Sequence, residues 1–397
     1  MGAKQRVSPA RRQAFEILRL VHGGSHAADL LHARRGDLDT RDAALASEIV
    51  LGSLRAQAQL DFLLARHSRE PAERLDHEVL IALRMGAYQI LYLDRVPRHA
   101  AVGESVELVK LAHKSSAAGL VNAVLRRLDH KPPSWPDQAT ELSLPAWMLE
   151  RWQQLYGAEI AAGIGSAFLE RPRTYVRLPP GQDPPSGLEL EPTEVAGCFL
   201  LRTGHADPLR IQDIGSQSIV GLLELQRGQS FLDLCAAPGN KTAQALEYGV
   251  RAVACDTSRP RLRGLEGLAC ARVVVDGTQP LPFARRFDRI LVDAPCSGTG
   301  TLGRNPEIRW RIQPSDLARH HQRQVALVRR ALERLDAGGL MVYSTCSLEP
   351  EENERVVEEA LRDSPGWRSR RIVRRIPGRD AGDGFFAAVI TSEVAAA

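Results

Sequence analysis

No C-x-x-C pair occurs among the six cysteines of this chain, Cys198, Cys235, Cys255, Cys270, Cys296 and Cys346, so neither a zinc ribbon nor a thioredoxin-type motif is indicated. Reduced thiols and no bound metal are the expectation. No apolar run approaches a membrane span, and the N-terminal stretch with Lys4, Arg6, Pro9, Arg11 and Arg12 lacks the apolar core of a secretory signal. No membrane association and a cytoplasmic location follow. Lysine is scarce: five of the 52 basic residues are lysines, and one of them is Lys241. A retained ammonium in a chain that otherwise chooses guanidinium points to a need for compact charge. There is no internal repeat and no low-complexity tract beyond a short alanine-rich C-terminus.

What is present suits two or three domains, since 397 residues hold ample apolar content for separate cores. Residues 1–130 carry 19 basic against 15 acidic residues, which leaves 33 against 33 beyond them, so the net charge of +4 resides in the N-terminal third. Such an excess is compatible with nucleic acid without demonstrating it. Apolar positions such as Phe15, Leu18 and Val21, or Leu80, Leu83, Ala87 and Ile90, recur at helical spacing, and predict helices over 10–22, 41–56, 57–66, 76–92, 98–114 and 117–128. The first domain, 1–130, is therefore all-α. Lys131-Pro132-Pro133-Ser134-Trp135-Pro136 breaks helix, and 131–144 reads as a linker. Over 145–228 two helical segments precede strands near Tyr175 and Cys198, which makes a small α+β module whose arginines suit phosphate contact.

From Ser230 onward strand and helix alternate regularly, so 229–397 is expected to be a doubly wound α/β domain with a parallel sheet. Phe231-Leu232-Asp233-Leu234 is its first strand. The turn Cys235-Ala236-Ala237-Pro238-Gly239-Asn240-Lys241 follows, lacking both G-x-G-x-x-G and G-x-x-x-x-G-K-[ST], which counts against NAD and against a P-loop. Small residues there admit a ligand close to the backbone, and Asp256 and Asp276, each ending a later strand, suit ribose hydroxyls or simple turns. Two wholly apolar runs, Ile290-Leu291-Val292 and Leu340-Met341-Val342-Tyr343, end at Asp293-Ala294-Pro295-Cys296 and Ser344-Thr345-Cys346. A lone cysteine is more often a small buried hydrophobe. Two cysteines in polar turns past strand ends instead face the crevice where α/β sheets bind ligands, and with Asp293 they make a chemical site.

The set Leu234-Cys235-Ala236-Ala237-Pro238-Gly239-Asn240-Lys241-Thr242, Asp256-Thr257-Ser258-Arg259-Pro260-Arg261-Leu262, Asp293-Ala294-Pro295-Cys296-Ser297-Gly298-Thr299-Gly300, Asn305-Pro306-Glu307-Ile308-Arg309-Trp310 and Thr345-Cys346-Ser347 resembles the RNA cytosine-5 methyltransferases. Gly119-Leu120-Val121-Asn122-Ala123-Val124-Leu125-Arg126-Arg127 resembles the NusB-like RNA-binding domain. Together they resemble bacterial 16S ribosomal RNA cytosine-5 methyltransferases of the Sun/Fmu type, with Asp383-Gly384-Phe385-Phe386 matching the last strand. Asn240 departs from the glycine usual at its position. The resemblance implies a NusB-like domain, a small α+β RNA-binding module and a Rossmann-like methyltransferase domain. It implies S-adenosylmethionine held by Cys235, Ala236, Ala237, Pro238, Gly239, Asn240, Lys241, Asp256, Arg261, Asp276 and Asp293. It further implies Cys346 as nucleophile on carbon 6 of the base, Cys296 as the releasing group, and Asp293 and Lys241 as supporting catalytic residues. The expected partner is single-stranded or flipped 16S rRNA, and the protein is expected to be a monomer. The alternatives are a non-catalytic RNA-binding factor and a methyltransferase acting on another substrate.

Overall fold

The computed structural model describes residues 7–68, 70–129 and 134–392. Lys4, Arg6, Lys131, Pro132, Pro133 and the terminal alanines lie outside them. The described residues divide into two compact units: those up to Glu170 together with Leu302–Arg311, and Arg171–Thr301 together with those from Ile312 onward.

The first unit is helical. Pro9–His22, Thr40–Arg55, Gln57–Ala65, His77–Tyr92, Arg98–Leu111 and Ala118–Arg127 fall where the apolar spacing predicts them, while Ala27–Ala33 is an additional short helix. At the centre stands His77–Tyr92, where Val79, Ile81, Ala82, Leu83, Met85, Ala87 and Ile90 are all buried; a helix apolar on every side must be surrounded by others. Close approach is achieved at Gly86, where an added Cβ would lie 2.5 Å from Leu125 Cδ1. A polar cluster is buried among these helices: Arg11 Nη1 meets Glu104 Oε1 at 2.9 Å, and its Nε donates to Gln89 Oε1 at 2.6 Å. Pairing and hydrogen bonding make a buried charge tolerable.

Two segments fall in this unit that the sequence assigns elsewhere. Helices Ala146–Tyr156 and Ala158–Leu169, expected to open the α+β module, pack here: Trp152 is fully buried with its ring 6.0 Å from that of Phe168. Leu302–Arg311, expected within the methyltransferase domain, is held here by Arg309. That side chain is fully buried and donates to Ser143 O at 3.0 Å, Leu302 O at 3.0 Å and Phe168 O at 3.3 Å. Arg55 Nε in turn donates to Gly303 O at 2.8 Å, and Trp310 Nε1 to Leu54 O at 3.0 Å.

The second unit contains two sheets. In the smaller, β1 (Tyr175–Arg177), β2 (Glu189–Pro192), β3 (Cys198–Thr203) and β4 (Arg210–Ile211) are antiparallel in the order β2-β3-β1-β4. The larger comprises β5 (Ser230–Asp233), β6 (Arg251–Asp256), β7 (Cys270–Val274), β8 (Phe287–Asp293), β9 (Leu335–Thr345), β10 (Trp367–Arg375) and β11 (Phe385–Ser392), in the order β10-β11-β9-β8-β5-β6-β7. Its strands alternate in the pleat: Ile290, Val292, Met341 and Tyr343 enter the core under helices Pro314–Leu332 and Glu354–Arg362, whereas Leu291, Leu340 and Val342 enter the core under Ile214–Gly221.

The sheet is mixed rather than wholly parallel as expected. β5 to β9 are parallel, but β11 runs antiparallel to β9, and β10 antiparallel to β11. The connection from β10 to β11 is a hairpin without a crossover helix, which forces that direction. On either side of β5 the chain steps to β6 or to β8, so the crevice at the carboxyl ends of β5, β8 and β9 is the switch point of the fold.

Candidate active site

At that switch point β8 and β9 pair in register, with Asp293 opposite Ser344, so that the turns leaving both strands emerge side by side. Cys296 and Cys346 follow on these turns, and their Sγ atoms stand 3.4 Å apart, both partly exposed. Asp293 lies between two donors: Lys241 Nζ at 2.6 Å on one oxygen and Ser344 Oγ at 2.8 Å on the other. Lys241 is nearly buried and its ammonium also sits 5.5 Å from the Phe385 ring centre. Thus the four residues expected to be catalytic are drawn to the ends of two neighbouring strands and the helix beside them.

The two cysteine turns are tied to each other by bonds that sequence reasoning missed. Glu352, fully buried, accepts from Ser297 N at 2.7 Å, from Ser347 Oγ at 2.5 Å, from Ser297 Oγ, and from Gln324 Nε2 at 3.2 Å. Gly300 N donates to Cys346 O at 2.9 Å and Leu348 N to Thr299 Oγ1 at 2.9 Å. Gly300 has no alternative: a Cβ there would lie 2.5 Å from Gly384 O and 2.8 Å from Cys346 O. In the sequence Glu352 stands in the run Glu349-Pro350-Glu351-Glu352, where nothing separates it from a solvated acidic turn.

The thiols differ in environment. Burial pushes Cys198 up to about 11 and Cys255 up to about 12, and it raises Cys235 and Cys270 as well, so these four stay protonated structural thiols. Cys296 is raised well above the usual thiol range, first by its hydrogen bond with Cys346 and then by desolvation, with the Glu352 carboxylate adding to the effect.

Around the first turn of the domain a second group of expected residues assembles. Gly239 takes a left-handed φ of 112°, and a Cβ there would meet Leu265 Cγ at 2.6 Å. Asp256 is buried; its Oδ1 accepts from Ser258 N at 2.9 Å and its Oδ2 from Ala237 N at 3.4 Å, while Arg261 Nη2 donates to Ala237 O at 3.0 Å. A carboxylate has acceptor capacity beyond two such bonds, so Asp256 retains lone pairs for a ligand. Asn240 turns away toward β4, with Nδ2 3.5 Å from Ile211 O, and so replaces a glycine without filling the cradle. Asp276 joins neither group by a hydrogen bond among the described residues; it is exposed and closes a turn on Thr278, whose backbone N–H and hydroxyl lower its pKa. Asp233, also missed, ends β5 fully buried and bonded to Thr242 Oγ1 at 2.6 Å.

No helix among the described residues is long and apolar enough to cross a membrane, and no group of metal-ligating side chains occurs among them. The family model for 16S rRNA methyltransferase RsmB/F matches residues 220–391, and that for the NusB family matches residues 8–130. Ribosomal RNA small subunit methyltransferase B of Citrobacter koseri is 31% identical in an alignment covering 96% of this chain and 98% of that protein. Among solved structures, that of PH0851 shares the fold with a TM-score of 0.82 at 20% identity, covering 98% of this chain and 100% of that one. A methyltransferase homolog protein from Pyrococcus horikoshii matches with a TM-score of 0.56 at 26% identity, covering 66% of this chain and 99% of that one.

Proposed function

This chain belongs to the RsmB/F family of 16S rRNA methyltransferases, and from that premise we propose that it methylates carbon 5 of a cytosine in 16S rRNA through a covalent adduct between Cys346 and carbon 6. The observation that carries the reading is the pair of sulfurs 3.4 Å apart past the ends of β8 and β9, beside a carboxylate held by an ammonium.

S-adenosylmethionine supplies an electrophilic methyl group on a sulfonium. The small-residue turn 235–241, the Asp256 carboxylate, Asp293 and Lys241 would hold it, with Arg261 bracing the turn through Ala237 O. Asp276, exposed in its turn with Thr278, would be a further ribose contact. Carbon 5 of cytosine is too weak a nucleophile to take the methyl group unaided. Cys346 releases its thiol proton to solvent and its sulfur bonds to carbon 6, so that the π pair of the carbon 5–carbon 6 bond becomes available at carbon 5. Asp293, oriented by Lys241 and Ser344, accepts from the amino edge of the base. Once carbon 5 carries the methyl group, its proton must leave and the carbon 6–sulfur bond must break, restoring the ring double bond. Cys296, 3.4 Å from the Cys346 sulfur, would serve that step: having released its own proton to solvent, its thiolate takes the carbon 5 proton, the pair of that C–H bond re-forms the ring double bond, and the Cys346 sulfur leaves carbon 6 as thiolate.

A denaturing gel with labelled RNA and S-adenosylmethionine tests the assignment. Cys346→Ala should give no adduct, and Cys296→Ala should methylate once and stay attached to RNA. A persistent adduct in Cys346→Ala but not in Cys296→Ala reverses the two roles. Methyl transfer to protein or to small molecules but not to RNA removes the substrate.

A further inference from the structure

Two thiols in contact have a redox chemistry that the methylation cycle does not use. Cys296 and Cys346 are 50 residues apart in sequence, yet their Sγ atoms stand 3.4 Å apart, and both residues are partly exposed. A disulfide sets its sulfurs about 2.05 Å apart and its Cα atoms roughly 4.4–6.8 Å apart. Neighbouring strands lie about 4.8 Å apart, so the turns that leave β8 and β9 side by side start within that span. Closing the gap from 3.4 Å to roughly 2.05 Å asks for side-chain rotation and no unfolding.

The contact is held from behind. Ser297 and Ser347, each next in sequence to one of the cysteines, bond the same buried carboxylate: Glu352 accepts from Ser297 N at 2.7 Å and from Ser347 Oγ at 2.5 Å. The two serine hydroxyls are themselves 3.2 Å apart, and Gly300 N donates to Cys346 O at 2.9 Å. Thiols fixed in this way react with each other at a far higher effective concentration than thiols on free chains. Burial raises the Cys198, Cys235, Cys255 and Cys270 thiols, which slows their reaction with an oxidant. Cys296 is raised too, first by its hydrogen bond with Cys346 and then by desolvation, which suits it to act second, as the thiol that closes the bond.

We propose that Cys296 and Cys346 are a redox modification site, joined by a peroxide in a reversible disulfide that switches methyl transfer off. The switch rests on Cys346 being the nucleophile; the disulfide itself does not. The Cys346 thiolate attacks one peroxide oxygen, an S–O bond forms and the O–O bond breaks, and the departing hydroxide takes up the proton the thiol released, as water. The Cys296 sulfur then attacks the sulfur of this sulfenic acid. The S–S bond forms, the S–O bond breaks, and hydroxide leaves with the Cys296 proton as a second water. Two thiols are oxidised to one disulfide while one peroxide is reduced to two waters. In the disulfide Cys346 has no thiolate to offer carbon 6. Rapid closure also keeps the sulfenic acid from advancing to sulfinic acid, which ordinary thiols do not reduce.

The full chain is treated with hydrogen peroxide, stopped with catalase and an alkylating reagent, and read by mass spectrometry. Trypsin sets the two cysteines on separate peptides, 290–304 and 335–355, neither with another cysteine. These peptides should appear cross-linked, with free thiols falling from the six of the reduced chain by the two that are joined. Methyl transfer to RNA should fall about tenfold or more, and dithiothreitol should restore both thiols and transfer. Cys296→Ser, which cannot close the bond, should accumulate sulfinic acid at Cys346 that dithiothreitol leaves in place. Peptides that stay unlinked, a cross-link from either of them to Cys235, or sulfinic acid forming at Cys346 as fast in the wild type as in Cys296→Ser overturns the proposal. So does a cross-linked protein that methylates RNA at the reduced protein's rate. Because the cross-link is read without RNA, a protein that forms it but methylates no RNA when reduced would count against the function and not against the pair.

Discussion

At the scale of single residues, the reactive groups and the groups that hold them differ in how far the sequence shows them. Cys296, Cys346 and Asp293 stand out because each ends an apolar run in a polar turn, a pattern with few other uses. Asp233 does not, since its neighbours Leu232 and Leu234 give it the look of an ordinary strand residue; only the fold reveals that it is fully buried on Thr242. Burial pushes its carboxyl from 3.8 up to about 7. The folded protein thus binds this proton more tightly than the unfolded chain, and the associated stability is complete below about pH 4 and lost as pH rises through 7. Asp233→Asn keeps an oxygen for the Thr242 hydroxyl and removes the titration. Its stability relative to the wild type should therefore rise between pH 4 and 8, by about 4 kcal/mol at most for a shift of roughly three units. Urea unfolding at pH 4.5, 6 and 7.5 measures this, and a difference that stays flat with pH would show that Asp233 does not titrate there.

Among elements, the parallel strands were legible because burial on both faces leaves short uninterrupted apolar runs, as in Ile290-Leu291-Val292. β10 was not. Trp367–Arg375 is an arginine-rich edge strand with alternating partial exposure, and its sequence resembles a solvated surface until β11 is seen beside it. Helix Ala27–Ala33 escaped for the opposite reason, being too short to display a period. The turns after β8 and β9 form a further unit, because Glu352, Thr299 and Gly300 join them. If that lacing sets the distance between the sulfurs, Gly300→Ala should act on chemistry before binding. Its Cβ meets two backbone carbonyls, Gly384 O and Cys346 O, neither of which can rotate away, so the backbone that sets the Cys296 and Cys346 turns against each other must shift. Turnover should fall at least tenfold with S-adenosylmethionine affinity within about twofold of wild type, as rate assays and calorimetry will tell. Equal turnover would remove the lacing from the mechanism.

For the molecule as a whole, two segments pack away from the unit in which contiguity would set them, and one of them is instructive. Asn305-Pro306-Glu307-Ile308-Arg309-Trp310 belongs to the methyltransferase set by sequence, yet it is packed in the helical unit, with Arg55 bonding Gly303 O and Arg309 bonding Ser143 O and Phe168 O. A sequence shows which residues are apolar or charged, but not which distant backbone carbonyls a buried guanidinium will satisfy. One consequence concerns how an RNA role of the helical unit can be tested. Cutting away residues 1–130 removes Arg55 and Leu54, and so leaves Gly303 O and Trp310 Nε1 without their partners; loss of RNA binding in that truncation would report unfolding as readily as recognition. Surface charge reversal avoids the difficulty. Arg126 and Arg127 end helix Ala118–Arg127 on its exposed side, in the part of the chain that holds the net positive charge. If they bind phosphate, Arg126→Glu with Arg127→Glu should weaken RNA affinity about tenfold or more at low salt and flatten its dependence on salt by roughly 0.7 in slope for each phosphate no longer neutralised. Cofactor affinity and melting temperature should be unchanged. Filter binding across a salt series decides the matter: an unaltered affinity with an unaltered slope would remove Arg126 and Arg127 from the RNA-binding surface.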